Sequence, residues 1–425
     1  MESINTQQKS MQRFITISAI SFSYIVFAIL LNSVGTVILQ SISSFGVSKP
    51  EASVLEGFKD LSIAGVSFFV ASVIPRIGYK IALSLGLSLV TFACLITPSV
   101  AEFWVIKLLF ACIGVAFALV KVSVYSVVGQ LSDSTRAHSS LLNTIEGLFM
   151  VGSLAGYWLF AFYVDNDNTQ SLSWLNVYYP LAAMAAMAVC LVVISKFDRQ
   201  PVAEHKHSVM QEFIGMVKMS YQPLVLIFVI SIFLYVLIEQ GIGTWLPTFN
   251  NEVLNLPVSI SVQITSIFAG ALALGRLLAG QILKHVNWYL FLNVCLLSMA
   301  VLILLTLPLA EKAEANMVNS LFDAPIAAFL LPLIGLLMAP IYPVLNSVML
   351  SSLPVHKHAA MTGLIVVFSA LGGTTGSIIT GFVFDAMGGA MAFYMSLIPM
   401  VAILICLYWF KRKTNLEQSA EEVTA

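Results

Sequence analysis

Twelve apolar stretches, each long enough to cross a lipid bilayer, dominate this sequence and are separated by short polar connections. A hydrocarbon core about 30 Å thick requires roughly 20 apolar residues in helical form. Lipid offers the backbone no hydrogen-bond partners, so stretches of this length fold as helices. The sequence therefore predicts an all-α integral membrane protein with twelve spans, near residues 14–39, 56–74, 81–98, 102–128, 139–163, 175–195, 223–247, 260–283, 288–309, 325–349, 359–384 and 391–410.

The composition excludes several other classes of protein. Hydrophobic residues make up 59% of the chain and charged residues 10%, with a mean hydropathy of +0.94, whereas soluble domains contain about 25% charged residues. The net charge is -1 and the basic residues are scattered among short loops, so we expect no nucleic-acid partner. The sequence contains no nucleotide-binding glycine loop and no metal-ligand spacing. We therefore expect no enzyme activity, no cofactor and no metal site.

The distribution of basic residues predicts the orientation of the chain. Cytoplasmic loops of membrane proteins carry an excess of Lys and Arg. If the N-terminus is cytoplasmic, the opposite side holds little beyond Lys49 and Lys312, and both termini are cytoplasmic. The connections then placed in the cytoplasm carry Lys9, Arg13, Arg76, Lys80, Arg136, Lys196, Arg199, Lys206, Lys218, Lys284, Lys357, Lys411, Arg412 and Lys413.

A long polar connection divides the chain into two sets of six spans. We predict an N-terminal six-helix bundle over residues 1–195, a cytoplasmic linker over 196–221, and a C-terminal six-helix bundle with a short tail over 222–425. The two halves resemble each other. Tyr125 is followed by a polar loop and then by Gly152 and Gly156, as Tyr342 is followed by a loop and by Gly372 and Gly376, which indicates a duplicated unit.

Two parallel halves and a short basic turn after span two, with Arg76, Gly78 and Lys80, resemble the major facilitator superfamily. Arg76 and Lys80 are candidates for a gate or charge network, as are Glu56, Lys59 and Arg276. Span seven (Tyr235–Trp245) and the segment Ala339–Pro343 in span ten are similar to the fucose-permease-like sugar/proton symporters within that superfamily. This resemblance implies a solute site near the middle of the membrane, reached alternately from each side. It also implies proton coupling and a sugar-like solute.

Ionisable residues inside spans cost about 2.5 to 3.5 kcal/mol each, so each one is a functional candidate. Lys121 in span four and Glu146 in span five lie at a similar depth, roughly 12 Å inside the cytoplasmic end. Arg276 in span eight has a similar depth. We predict that the three residues form a charge cluster at the inner gate, either as a structural anchor or as a site where Lys121 or Arg276 releases Glu146 to hold an anionic solute.

Glu239 in span seven is the first candidate for proton coupling. No basic residue lies in its own span, and a carboxylate in an apolar setting can exchange a proton near neutral pH. Glu146 and Asp60 are further coupling candidates. The alternative for Glu239 is an ion pair with Lys59 that closes the outer gate.

Three charged residues near the start of span two share one helical face because they are three and four residues apart. They are Glu56, Lys59 and Asp60. The first hypothesis is a solvated or self-paired entrance to the span. The alternative makes Asp60 a second proton or solute site.

Amide and aromatic side chains are suited to a neutral polyol, because rings stack on its apolar face and amides offer paired donors and acceptors. Together with Lys121, six such residues are candidate solute-binding groups: Asn32, Asn143, Gln240, Trp245, Tyr342 and Asn346.

These features predict a monomeric, multi-pass transporter of the inner membrane that moves a small polar solute by alternating access. The first hypothesis is proton symport of a sugar-like solute. The alternatives are a solute that carries a carboxylate (an amino acid, an organic acid or a siderophore), an exporter, and a membrane sensor or assembly factor on a transporter fold. The last class would tolerate neutral substitutions at Glu239 and Glu146.

Overall fold

The structure is a computed structural model that describes residues 2–132, 134–195, 209–312, 318, 320–354 and 357–424. All regular structure in those residues is helical. The N-terminal part contains α1 (Glu2–Asn32), α2 (Val34–Phe45), α3 (Lys49–Ile77), α4 (Tyr79–Val100), α5 (Phe103–Gln130), α6 (Thr135–Tyr163), a 3-10 turn (Ser173–Val177) and α7 (Tyr178–Ile194).

The C-terminal part begins with a helix in the predicted linker. Its helices are α8 (Val209–Ser220), α9 (Pro223–Glu252), α10 (Val258–Ile282), α11 (Trp288–Glu311), α12 (Ile326–Leu330), α13 (Ile334–Met338), α14 (Ile341–Ser351), α15 (His358–Met387), α16 (Gly389–Tyr394) and α17 (Leu397–Thr424), with 3-10 turns at Leu321–Asp323 and Leu331–Leu333. The linker residues 196–208, with Lys196, Arg199 and Lys206, lie outside the described residues.

The helices agree with the predicted spans. Eleven stretches in the described part of the chain are long and apolar enough to cross a bilayer, and each overlaps a predicted span. The remaining prediction, residues 56–74, falls on α3, which is 29 residues long. The prediction of an all-α membrane protein is confirmed.

Predicted spans one, ten and twelve are interrupted rather than continuous; in span twelve, α16 ends at Tyr394 and α17 begins at Leu397. Span one breaks between α1 and α2 at Ser33, whose hydroxyl donates to the Leu30 carbonyl at 2.8 Å. Span ten is divided into α12, α13 and α14, and Pro332 and Pro340 lie at its two breaks. A proline has no backbone N–H and cannot complete the helical hydrogen-bond ladder.

The contacts between residues divide the chain into two compact units. The first unit contains Met1–Val34, Ser43–Phe45 and Phe58–Lys206, and the second contains Gly35–Ile42, Gly46–Gly57 and His207–Ala425. The main division falls within the predicted linker, whereas parts of α2 and α3 group with the C-terminal helices. The domain boundaries drawn from the sequence stay a prediction.

The paired glycines make the same kind of contact in both units. In the first unit, Cβ atoms added at Gly152 and Gly156 would lie 2.9 Å from the Ile25 carbonyl oxygen and 3.2 Å from the Ile29 Cα atom of α1. In the second unit, Cβ atoms added at Gly372 and Gly376 on α15 would overlap the carbonyl oxygens of Phe233 and Leu237 on α9. Both glycine pairs let helix backbones approach closely, as expected of a duplicated unit.

Candidate functional site

In the first unit, the carboxylate of Glu146 is held by a tyrosine. The Tyr125 hydroxyl on α5 donates to Glu146 Oε1 on α6 at 2.8 Å. Tyr24 on α1 is buried beside both residues, and its hydroxyl makes no hydrogen bond of standard geometry in the part of the chain that the structure describes. Three helices therefore place two hydroxyls and one carboxylate together within the membrane-spanning part of this unit.

Lys121 lies one helical turn before Tyr125, with its side chain exposed. Its Nζ atom is 5.7 Å from the centre of the Phe117 ring and 6.0 Å from that of Tyr125. Glu146 is near enough to act on its charge, but Lys121 forms no ion pair within 4.0 Å among the described residues. Tyr125, and not Lys121, is the direct partner of Glu146.

Aromatic packing fixes the helix face that carries Lys121. The Phe117 ring centre on α5 is 6.3 Å from that of Tyr24 and 5.7 Å from that of Phe27, both on α1. It is also 6.2 Å from the ring centre of Phe149 on α6. These contacts orient the α5 face of Phe117, Lys121 and Tyr125 toward α1 and α6.

The second unit contains a related arrangement around Glu239. The Tyr235 hydroxyl donates to Glu239 Oε1 at 3.1 Å, one turn along α9. The ring of Tyr342 on α14 packs on Tyr235 with 5.9 Å between ring centres. Its hydroxyl lies 3.3 Å from the Ser369 Oγ atom on α15.

Arg276 on α10 is the cation of this second arrangement. Its charge and that of Glu239 both act on the hydroxyls of Tyr235 and Tyr342, and its side chain is exposed. The sequence analysis grouped Arg276 with Lys121 and Glu146, but in the structure its charge acts on Tyr235, which bonds Glu239, and on Tyr342. The grouping with Glu146 stays a prediction.

Asn346, one turn after Tyr342 on α14, adds an amide to the same region. Its side chain interacts with the Tyr342 hydroxyl. Its Oδ1 atom is buried and has no hydrogen-bond partner in the described residues. A buried carbonyl oxygen of this kind is an acceptor for a hydroxyl or amine.

Glu56 is fully buried in the second unit, so the hypothesis of a solvated entrance to span two is wrong for this residue. Thr244 on α9 places its hydroxyl oxygen 3.1 Å from Glu56 Oε2 and 3.2 Å from Gln240 Oε1. A hydroxyl has one proton and can donate to one of these oxygens at a time. Glu56 is therefore part of a buried polar chain.

Lys59 and Asp60 form an ion pair in the first unit, with 3.5 Å between Lys59 Nζ and Asp60 Oδ1. Lys59 is 6% exposed, so it too is not solvated. These two residues pair with each other, as the hypothesis of a self-paired entrance to span two expects. The pairing of Lys59 with Glu239 stays a prediction.

Trp245 is fully buried. Its indole N–H donates to the Ser377 carbonyl at 3.0 Å, and its ring packs on Phe384 with 5.5 Å between centres. In this structure Trp245 packs the second unit and does not offer its ring to a solute.

The predicted amides of the first unit have different environments. Asn32 is half-buried and donates to the Ala28 carbonyl at 2.8 Å on its own helix. Asn143 is exposed on α6, one turn before Glu146. Asn143 therefore shares a helix face with the carboxylate, and Asn32 already has a partner.

The basic turn after span two contains a constrained glycine. Gly78 has φ +92°, a region that side chains disfavour. Lys80 donates to the carbonyls of Val193 and Ser195 at 2.6 and 2.8 Å, where a cation stabilises the C-terminal end of α7. The Arg76 side chain lies outside the described residues, so a role in a gate network stays a prediction for both basic residues.

Sequence reasoning missed the hydroxyl groups that hold the carboxylates. Tyr235 lies four residues before Glu239, a spacing that places two side chains on one helix face and was a signal in the sequence. Tyr125 reaches Glu146, and Thr244 reaches Glu56, from a different helix. No spacing in the sequence indicates those contacts.

A family model described as the Major Facilitator Superfamily matches residues 20–373. No curated protein matches the sequence. Similar solved structures include the nucleoside transporter NupG, at 13% identity and a TM-score of 0.68, over 93% of this chain and 98% of that one. They also include FucP in the outward conformation, at 14% identity and a TM-score of 0.61, over 94% of this chain and 99% of that one. A D-xylose-proton symporter is similar at 12% identity and a TM-score of 0.64, over 94% of this chain and 96% of that one. At these identities the likeness shows a shared fold.

Proposed function

Because this chain belongs to the major facilitator superfamily, we propose that it is a proton-coupled secondary transporter that moves a small polar solute by alternating access. The family and the helical membrane fold establish a multi-pass membrane transporter. The proposal adds the coupling ion, the inner membrane as its location and the monomer as its working state. Its similarity to the structures of FucP and the D-xylose-proton symporter is in keeping with proton symport and a sugar-like solute.

The environment of the Glu239 carboxylate is the observation that supports proton coupling. Glu239 is a half-buried carboxylate within an apolar helix of 30 residues. The Tyr235 hydroxyl donates to it, and the charge of Arg276 acts on that tyrosine. An ionisable group within an apolar membrane segment is by default a candidate to carry a proton or an ion.

The test is uptake into proteoliposomes with an imposed inward proton gradient, using labelled hexoses, amino acids and carboxylates. We expect wild-type protein to accumulate one solute class, and Glu239→Gln to lose accumulation while it retains solute exchange. Glu311→Gln, which removes an exposed carboxylate at the end of α11, is the matched control. Equal accumulation by wild type and Glu239→Gln would reject this role of Glu239.

Glu146→Gln belongs in the same experiment as the second coupling candidate. A membrane sensor or assembly factor would tolerate both substitutions and would accumulate no solute. Gradient-driven accumulation that occurs only in vesicles in which the protein has the opposite orientation would instead identify an exporter.

A further inference from the structure

Lys121 is a cation in the interior of a membrane span, and none of the described residues neutralises it by direct contact. In the described part of the chain it makes no hydrogen bond and no ion pair within 4.0 Å. Glu146, the acidic group that acts on its charge, is hydrogen-bonded to Tyr125 instead. An ammonium inside a membrane span is costly to insert, and a purely structural group without a direct partner does not offset that cost.

The face of α5 that carries Lys121 is polar, unlike the lipid-facing surfaces of the same unit. On α4, the exposed side chains include Leu85, Leu89 and Phe92. On the α5 face, Lys121 is accompanied by Tyr125, with Glu146 opposite on α6. The exposed side chain of Lys121 therefore lies beside polar groups, unlike the exposed apolar side chains of α4.

We propose that the ammonium of Lys121 binds the carboxylate of the transported solute, and that the solute is a small hydroxylated monocarboxylate such as a sugar acid. This inference rests on the proposed function and names the solute class of that site. The single positive charge matches one carboxylate. The Phe117 and Tyr125 rings beside the ammonium offer an apolar surface on which the carbon chain of the solute packs.

Glu146 restricts the charge that this site accepts. When Glu146 is ionised, a carboxylate at Lys121 lies near a like charge, and when Glu146 is protonated the ammonium is the remaining full charge of the cluster. The other titratable groups that face it are Tyr24 on α1 and Tyr125 on α5. Solute and proton therefore favour each other's binding, and a dianionic group such as a phosphate ester is disfavoured.

The test measures binding without a gradient and uptake with one, on the full-length protein in detergent and in proteoliposomes. The probes are gluconate, galacturonate and lactate, with galactose and fucose as neutral counterparts and glucose 6-phosphate as a dianion. We expect a monocarboxylate to raise the melting temperature of the wild type, and Lys121→Met to weaken that binding by at least about tenfold. Lys121→Arg keeps the charge and is expected to retain binding.

Lys107→Met is the matched control, because Lys107 lies on the same helix with its Nζ atom 4.5 Å from the Phe103 ring centre. It is expected to bind the monocarboxylate like the wild type. Glu146→Gln is expected to bind it more tightly than the wild type at neutral pH, which a structural role of Lys121 would not produce.

The inference is overturned if no monocarboxylate binds the wild type, or if Lys121→Met binds it with unchanged affinity. Gradient-driven uptake of a neutral sugar with no monocarboxylate binding would retain the proposed transport function and reject the anion site. Monocarboxylate binding that depends on Lys121, without gradient-driven uptake, would retain the site and reject proton-coupled transport.

Discussion

A tyrosine hydroxyl accompanies a carboxylate within the membrane in each unit. Tyr125 reaches Glu146 from a neighbouring helix, and Tyr235 reaches Glu239 along its own helix. The carboxylates could be predicted, because an ionisable group in an apolar run is costly and conspicuous. Tyr235 could be found from its four-residue spacing to Glu239, whereas Tyr125 could not be distinguished from the tyrosines that anchor span ends. Which hydroxyl faces which carboxylate depends on packing.

Tyr235→Phe tests the hydroxyl in the second unit. The substitution keeps the ring that packs on Tyr342 and removes the donor to Glu239. We expect the free energy of unfolding to fall by about 1 to 3 kcal/mol, as for a lost hydrogen bond to a charged group, and gradient-driven uptake to decrease. Thermal unfolding in detergent and proteoliposome uptake measure the two effects.

Tyr408→Phe is the control for Tyr235→Phe, because Tyr408 is 54% exposed on α17. It is expected to unfold and transport like the wild type. Equal melting temperatures for Tyr235→Phe and Tyr408→Phe would show that the Tyr235 hydroxyl contributes nothing to stability.

At the scale of elements, glycine pairs determine how closely α1 packs on α6 in the first unit and α9 on α15 in the second. The pairs were visible in the sequence as a repeated spacing, and the structure shows their contacts with α1 and α9. The polar chain of Glu56, Thr244 and Gln240 was not visible in this way, because α3 contributes one member and α9 the other two. Helix pairing was predictable only where small residues recur.

Gly376→Ala tests the close packing of α15 on α9. The added methyl group would overlap the Leu237 carbonyl oxygen, and that backbone cannot move without displacing the helix. We expect a loss of about 1 to 3 kcal/mol in stability. Gly280→Ala on α10, where an added Cβ meets nothing within 4 Å, is expected to be neutral or stabilising by up to about 1 kcal/mol. Thermal unfolding of both variants is the measurement, and a stable Gly376→Ala would contradict the packing argument.

Thr244→Val tests the buried chain around Glu56. Valine has nearly the shape of threonine but no hydroxyl, so Glu56 loses the contact at 3.1 Å while packing is kept. Removing a partner from a buried polar group costs about 1 to 3 kcal/mol. The control is Thr91→Val on α4, whose hydroxyl bonds the Leu87 carbonyl of its own helix. If both variants melt at the same temperature, the Thr244 contact does not stabilise the protein.

At the scale of the whole molecule, the chain has two units of related construction, and parts of α2 and α3 group with the second. The repeat of six spans was predictable from run lengths and the central polar connection. The assignment of residues 35–42 and 46–57 to the second unit could not be predicted. The sequence of a helix gives no local signal of which neighbouring helices its different parts contact. The orientation in the membrane stays a prediction from basic residues.

Labelling of single cysteines tests that orientation. In a variant with the five native cysteines replaced, Asn168→Cys lies in the exposed loop after α6, and Lys284→Cys in the exposed turn after α10. We expect an impermeant maleimide to label Asn168→Cys in intact cells and Lys284→Cys only after the membrane is opened. Labelling of both sites in intact cells would contradict the predicted topology.

The lengths of the apolar runs were enough to determine an all-α membrane protein, because a bilayer admits few other backbone arrangements. The positions of Glu146, Glu239, Lys121 and Arg276 were also readable, since charges stand out in apolar sequence. The tertiary structure decided their partners: Tyr125 rather than Lys121 bonds Glu146, and the charge of Arg276 acts in the arrangement around Glu239. Depth along a helix follows from residue number, but the direction of a side chain toward a neighbour is set by helix rotation and packing, which one sequence does not specify.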